Sequence, residues 1–70
     1  MEETQKEFLK ALAGYGISFN ALIAVGSVIR TEEAVSLMAG RIVDQVDNGE
    51  ELNDRLVLRI LVELMKEASE

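Results

Sequence analysis

The chain has 70 residues, of which 49% are apolar, and a formal net charge of −6 from thirteen acids and seven bases. A chain of this length forms one small domain with a thin core, and its acidic balance argues against the electrostatic attraction that brings proteins to nucleic acid. It has no cysteine and no histidine, which excludes disulfides, thiolate nucleophiles and the most common zinc ligands.

The first predicted helix covers residues 5–13. Thr4 begins a capping box that Glu7 would complete, and apolar residues then recur at helical spacing. Gly14 lies where a left-handed C-terminal cap is expected, and Gly16 provides a second permissive backbone position. These residues predict a short helix that ends in a tight connector.

The second predicted helix covers residues 19–29, with Ser18 as its N-cap. Its only other polar side chains are Asn20 and Ser27, so we expect the remaining faces to be covered. This composition predicts a central, enclosed helix whose core residues lie on different sides, namely Leu22, Ile23 and Val25.

The segment from Ala11 to Ile29 has no ionisable side chain except Tyr15. It must be hidden from water by the protein's own core, a second copy, another protein or a lipid bilayer. Gly14, Gly16 and the Ser18 cap interrupt the segment, and the remaining helix is too short to cross a bilayer of about 30 Å. We therefore expect no membrane span.

The third predicted helix covers residues 32–47. Thr31 is its expected N-cap, and Glu32 and Glu33 suit the positive end of the helix dipole. The dipeptide Asn48-Gly49 is typical of a helix end, because either residue can adopt a left-handed conformation.

The fourth predicted helix covers residues 50–68. Asn48 and Glu51 can form a capping box that opens it, or else Asn53 is the cap and the helix begins later. No segment alternates like a strand for long enough to compete with these helices. The predicted fold class is all-α, a compact bundle of four short helices within a single domain, 1–70.

The fourth predicted helix has more apolar surface than one face needs. Its main apolar face comprises Leu52, Leu56, Val57, Ile60, Leu61, Leu64, Met65 and Ala68. Leu58 and Val62 lie beyond the edge of that face, so only a narrow strip of the helix surface is polar. The surplus predicts a homodimer whose interface is centred on Leu58, Val62 and Met65, whereas in the alternative the four helices cover one another in a monomer.

Five acids without an intervening base lie between the last turn of the third predicted helix and the start of the fourth: Asp44, Asp47, Glu50, Glu51 and Asp54. An EF-hand calcium loop fails on this segment, because Val46 and Arg55 stand at its third and twelfth positions, where oxygen ligands are required. The acids predict either a solvated corner or a surface for a basic partner.

The residues available for chemistry are carboxylates, lysines, one tyrosine and hydroxyls. Ser18 and Thr31 are accounted for as helix caps, and no histidine or cysteine is present to activate a nucleophile. We expect no catalytic activity, no cofactor and no metal site. The N-terminal sequence lacks the basic and apolar regions of a secretory signal, which favours a cytoplasmic protein.

The sequence therefore predicts a small acidic helical protein-protein interaction module that forms a homodimer, with another protein as a possible partner. One alternative is a stand-alone structural scaffold, natural or designed, that has no partner. A lesser alternative is a small regulatory protein that binds a basic partner through the five acids.

Overall fold

The computed structural model describes residues 2–69 and contains four α-helices. They are α1 (Glu2–Gly14), α2 (Phe19–Val28), α3 (Glu32–Asp47) and α4 (Asp54–Ser69). No strand occurs among the described residues. The predicted all-α bundle of four helices is confirmed.

Helix α1 begins three residues earlier than the predicted range 5–13, so the capping box is wrong. Thr4 lies within the helix, and its hydroxyl donates a hydrogen bond to Oε1 of Glu32 at 3.3 Å. A residue caps a helix only from a non-helical position, and the acids before Thr4 favour a first turn of their own.

Glycines in the left-handed region end α1 and α3. Gly16 has a φ of 88°, and the N–H of Ile17 donates to the carbonyl of Leu12. Gly49 has a φ of 95°, and the N–H of Glu50 donates to the carbonyl of Gln45 in the same way. Both ends are Schellman motifs. The Asn48-Gly49 prediction is confirmed, but the left-handed cap of α1 is Gly16 rather than Gly14.

The predicted caps of α2 and α3 are confirmed. The Ser18 hydroxyl accepts the N–H of Ala21 at 3.3 Å, and the Thr31 hydroxyl accepts the N–H of Ala34 at 3.1 Å. Each bond satisfies one of the N–H groups that a helix start leaves without an internal partner.

Helix α4 begins at Asp54, so the predicted range 50–68 is wrong at its start. The Asn53 side chain accepts the N–H of Leu56 at 3.0 Å, which makes Asn53 the cap, as in the alternative prediction. The backbone N–H of Glu50 already closes the end of α3, and this directs the chain into a connector before the next helix can start.

The four helices are arranged around a square in the order α1, α2, α4, α3. Each helix packs against two neighbours, and among residues 2–69 the diagonal pairs α1/α4 and α2/α3 do not pack against each other. Contacts between residues distant in sequence show that α1 runs antiparallel to α2 and that α3 runs antiparallel to α4. The fold is thus two helical hairpins packed together.

The core lies along the axis of this square and is apolar, since the described residues include no buried polar or charged residue. Its most deeply buried large side chains are Met38, Ile60, Val25 and Val57. The rest of the core consists of Leu12, Ile17, Ala21, Ile29, Val35, Ile42, Leu56, Leu61 and Leu64.

The prediction that α2 is enclosed on all sides is wrong. Val25 is fully buried and Leu22 is partly buried, but Ile23 is 51% exposed and Phe19 is 75% exposed. A helix at the corner of a square has only two neighbours, so its outer side faces solvent even when its sequence is apolar. The apolar surplus of α2 therefore appears at the surface of the monomer.

Candidate interaction surfaces

The first exposed apolar surface is a row on α4 that we call the α4 stripe: Leu58, Val62 and Met65. These side chains are 39%, 49% and 46% exposed, respectively. Their spacing places them on one face of the helix, adjacent to the face that enters the core. The predicted interface residues thus lie together on an exposed face of α4.

A shallow hollow of about 520 Å³ extends the α4 stripe towards the ends of α2 and α3. Met65 belongs to both surfaces, and the hollow continues over Val28, Leu37 and Ala68. Single exposed apolar residues are ordinary, but a contiguous apolar surface indicates an interaction site.

Basic residues border the α4 stripe, although the chain as a whole is acidic. Arg55 precedes Leu58 by three positions, and Lys66 follows Val62 by four, so both lie beside the stripe on the same helix. Lys66 also lines a small depression with Val62 and Met65. A partner that covers this stripe therefore meets an apolar centre with a basic edge.

Ionic contacts hold α4 against α3. The guanidinium of Arg41 forms two hydrogen bonds with the carboxylate of Glu67, at 2.5 and 2.6 Å. This bidentate pairing raises the pKa of Arg41 and lowers the pKa of Glu67. A second contact joins Arg59 to Glu50 at 3.2 Å, and Arg59 also donates to the side chain of Gln45.

Asp54 links α4 to α2. Its Oδ1 accepts the backbone N–H of Ser18, the N-cap of α2, at 2.7 Å. Hydrogen bonding from the side chain and the backbone N–H of Ser18 lowers the pKa of the Asp54 carboxyl, because these bonds favour the charged form. Asp54 therefore has a structural role at the joint between the two hairpins.

The five predicted partner acids do not form one uniform surface. Asp54 bonds to Ser18 and Glu50 pairs with Arg59, so both contribute to intramolecular contacts. Asp44, Asp47 and Glu51 are exposed and form no salt bridge within the described part of the chain. The idea of a basic partner thus rests on these three exposed carboxylates.

The second exposed apolar surface is an open groove of about 840 Å³ between α1 and α2, which we call the α1–α2 groove. Its apolar lining comes from both helices: Leu9, Ala13, Phe19, Leu22, Ile23 and Gly26. Four charged residues of α1 also line it, in the order Glu3, Lys6, Glu7 and Lys10. The groove thus has an apolar floor and one charged wall.

Gln5 fixes the two helices that form the groove. Its side-chain amide donates to the carbonyl of Gly26 at 3.0 Å and to that of Ile29 at 2.8 Å. The carbonyl of Gly26 lies in the last turn of α2 and that of Ile29 at its C-cap, where a helix leaves acceptors without an internal partner. Gln5 thus caps α2 from the neighbouring helix and keeps the groove walls in register.

Sequence reasoning missed both Gln5 and the groove. A polar residue near the start of α1 resembles any other surface residue, and its target became apparent only once α2 was placed antiparallel to α1. The exposed positions of Phe19 and Ile23 follow from the corner position of α2. The one available signal was composition, because a helix with so few polar residues has more apolar surface than two neighbouring helices can cover.

Comparisons of the chain with protein families, curated proteins and solved structures found no match. Within residues 2–69, no helix combines the length and apolar character that crossing a membrane requires. The same residues contain no cluster of three or more acidic, histidine or cysteine side chains suited to hold a metal ion. The two apolar surfaces are therefore the features on which a function can be argued.

Proposed function

We propose that this chain is a protein-protein interaction module that self-associates through the α4 stripe, without catalytic activity of its own. The observation that carries the proposal is the row of Leu58, Val62 and Met65, each close to half exposed on a face of α4 that borders the core-facing side. A straight apolar row on one helix can pack against its own copy about a two-fold axis, because such an axis brings identical patches together.

The hollow beside the stripe supports the same proposal. Val28, Leu37 and Ala68 extend the apolar surface beyond a single helix, so a partner could cover residues from three helices at once. Interfaces between proteins combine an apolar centre with a polar rim. Arg55 and Lys66 would lie on the rim, where their charged ends remain in water.

The α1–α2 groove counts against the alternative of a scaffold with no partner. An isolated scaffold needs no apolar surface beyond its core, whereas this chain has two such surfaces on different helices. A cytoplasmic location, expected from the sequence, remains part of the proposal.

The test is the solution mass by light scattering across a dilution series. The wild-type chain should exceed the monomer mass, and Val62→Glu should lower it, because an unpaired carboxylate is strongly disfavoured in an apolar interface. Ser36→Glu is the matched control, since it adds the same charge at an exposed position of α3. If Val62→Glu retains both the wild-type mass and the wild-type melting temperature, the α4 stripe is not the interface.

A further inference from the structure

The charged wall of the α1–α2 groove has an order that indicates a specific occupant. Along α1 the charge alternates between negative and positive in the order Glu3, Lys6, Glu7 and Lys10. This spacing places all four side chains on one face of the helix. The row combines two acids and two bases, so it has no net charge that would favour a purely acidic or purely basic partner.

Reversing the direction of α1 exchanges the acidic and basic positions in this row, so an antiparallel copy has the complementary charge order. When a second α1 lies antiparallel to the first, with the two-fold axis between Lys6 and Glu7, each charge meets the opposite charge. Glu3 then faces the second copy's Lys10, and Lys6 faces the second copy's Glu7. The same two pairs recur on the other side of the axis, because the contact is isologous.

The monomer leaves these charges available. Lys6 and Lys10 take part in no salt bridge among residues 3–69, whose side chains the structure describes. The neighbours four positions apart carry like charges, Glu3 with Glu7 and Lys6 with Lys10, which is unfavourable within a single helix. The pairs three positions apart, Glu3 with Lys6 and Glu7 with Lys10, carry opposite charges, and an antiparallel copy would place a further opposite charge beside each of the four.

We infer that the α1–α2 groove binds the α1 helix of a second copy, antiparallel and about a two-fold axis. Phe19 and Ile23 then lie against the aliphatic stems of the second copy's lysines, which cover apolar surface while their ammonium groups pair with carboxylates. Charge order fixes the register, and the apolar floor contributes the buried area.

This contact leaves the α4 stripe accessible. In the described part of the chain, α1 and α4 occupy opposite corners of the square and do not pack against each other. Two different self-association surfaces on one chain join more than two copies, so the full assembly is larger than a dimer. The expected assembly size rests on the proposed function of the α4 stripe, whereas the groove contact itself needs only α1 and α2.

The groove contact is tested in a background variant, Val62→Glu, which should no longer associate through the α4 stripe. Val62→Ser takes its place if that variant does not fold. Solution mass by sedimentation equilibrium should show that the background protein is still a dimer, formed through the groove. Raising the salt from about 50 mM to about 500 mM should weaken this dimer, because exposed ion pairs are screened.

Charge reversal then tests the pairing itself. An acidic variant carries Lys6→Glu and Lys10→Glu, and a basic variant carries Glu3→Lys and Glu7→Lys. Each alone should be a monomer or dimerise roughly tenfold or more weakly, because like charges face each other, and their equimolar mixture should recover the dimer. The control is the swap Lys6→Glu with Glu7→Lys, which retains every antiparallel pair and should dimerise like the background.

The outcomes separate this inference from the proposed function. A Val62→Glu monomer derived from a larger wild-type assembly supports the α4 stripe and overturns the groove inference. An unchanged mass for Val62→Glu, together with dissociation by the acidic and basic variants, overturns the α4 interface and supports the groove. Acidic and basic variants that dimerise as well alone as in mixture overturn the proposed charge pairing.

Discussion

The α4 stripe is an apolar row on one helix with a basic edge, whereas the α1–α2 groove is an apolar floor between two helices beside a row of alternating charges. A copy that docks on the stripe would meet three half-exposed apolar side chains with Arg55 and Lys66 along one edge. In the groove, the antiparallel contact that we infer would place an opposite charge against each of the four wall charges.

This difference separates two roles that surface residues have in association. Apolar area supplies affinity without fixing a register, because the hydrophobic effect has no direction. Ordered charges contribute less affinity but penalise wrong registers, since a shift along α1 sets like charges against each other. We therefore expect the stripe to be the more adaptable surface and the groove the more selective one.

The first prediction tests whether the α4 stripe is a surface or a part of the core. Ile60→Ala should cost about 2–5 kcal/mol, because Ile60 is almost fully buried. Val62→Ala, two positions away, should change the stability of the monomer by no more than about 0.5 kcal/mol. Urea unfolding at a concentration low enough to leave monomers measures both. Equal losses from the two substitutions would place Val62 in the core.

The second prediction concerns the support beneath the groove. Gln5→Ala removes both hydrogen bonds to the C-terminal end of α2 and leaves two partly buried carbonyls without that donor. We expect a loss of about 1–2 kcal/mol in the free energy of unfolding, together with faster amide exchange near Gly26. Gln45→Ala is the control, because the Gln45 amide oxygen accepts only an exposed bond from Arg59. Equal effects of both substitutions would contradict the proposed bracing.

The third and smallest predicted effect is a loss of stability in acid, which protonates the Glu67 and Asp54 carboxylates that join α4 to α3 and α2. The carboxyls of Glu67 and Asp54 have lowered pKa values in the folded chain, so the unfolded chain binds their protons more readily. Their contribution is present above the usual carboxyl pKa, about 4, and is lost as the pH falls through their lowered values.

The melting temperature should therefore fall between about pH 5 and about pH 3, and Glu67→Gln and Asp54→Asn should each reduce the size of that fall. Both variants should also melt at a lower temperature than the wild type at neutral pH, where the wild-type carboxylates are ionised. Glu51→Gln serves as the control, because Glu51 is exposed and forms no salt bridge within residues 2–69. An identical acid response in all four proteins would show that these contacts contribute nothing measurable.

The sequence was sufficient for the features that depend on local chemistry. The helices, the Ser18 and Thr31 caps and the Gly49 turn follow from residues close together in the chain. The start of α4 was left open, because Asn48 and Asn53 have equally good capping chemistry and only the end of α3 decides between them.

The features that local chemistry could not determine depend on the arrangement of the helices. Composition correctly indicated that α2 is too apolar for an ordinary surface helix, but it could not show which side would lack a neighbour. Ile23 and Val25 are equally apolar, yet they differ completely in exposure. The charge order of α1 is a property of the sequence, whereas its position beside Phe19 and Ile23 depends on how α1 packs on α2.

The order of the helices around the square has a consequence for folding. Each hairpin pairs helices that follow one another in the chain, whereas the packing of α1 on α3 and of α2 on α4 joins the two hairpins. Short-range contacts form with little loss of chain entropy, so the two hairpins can organise independently before they dock. Residues 29–31 are then the single covalent link between the two hairpins, and an exchange of hairpins between chains would need only this link to straighten.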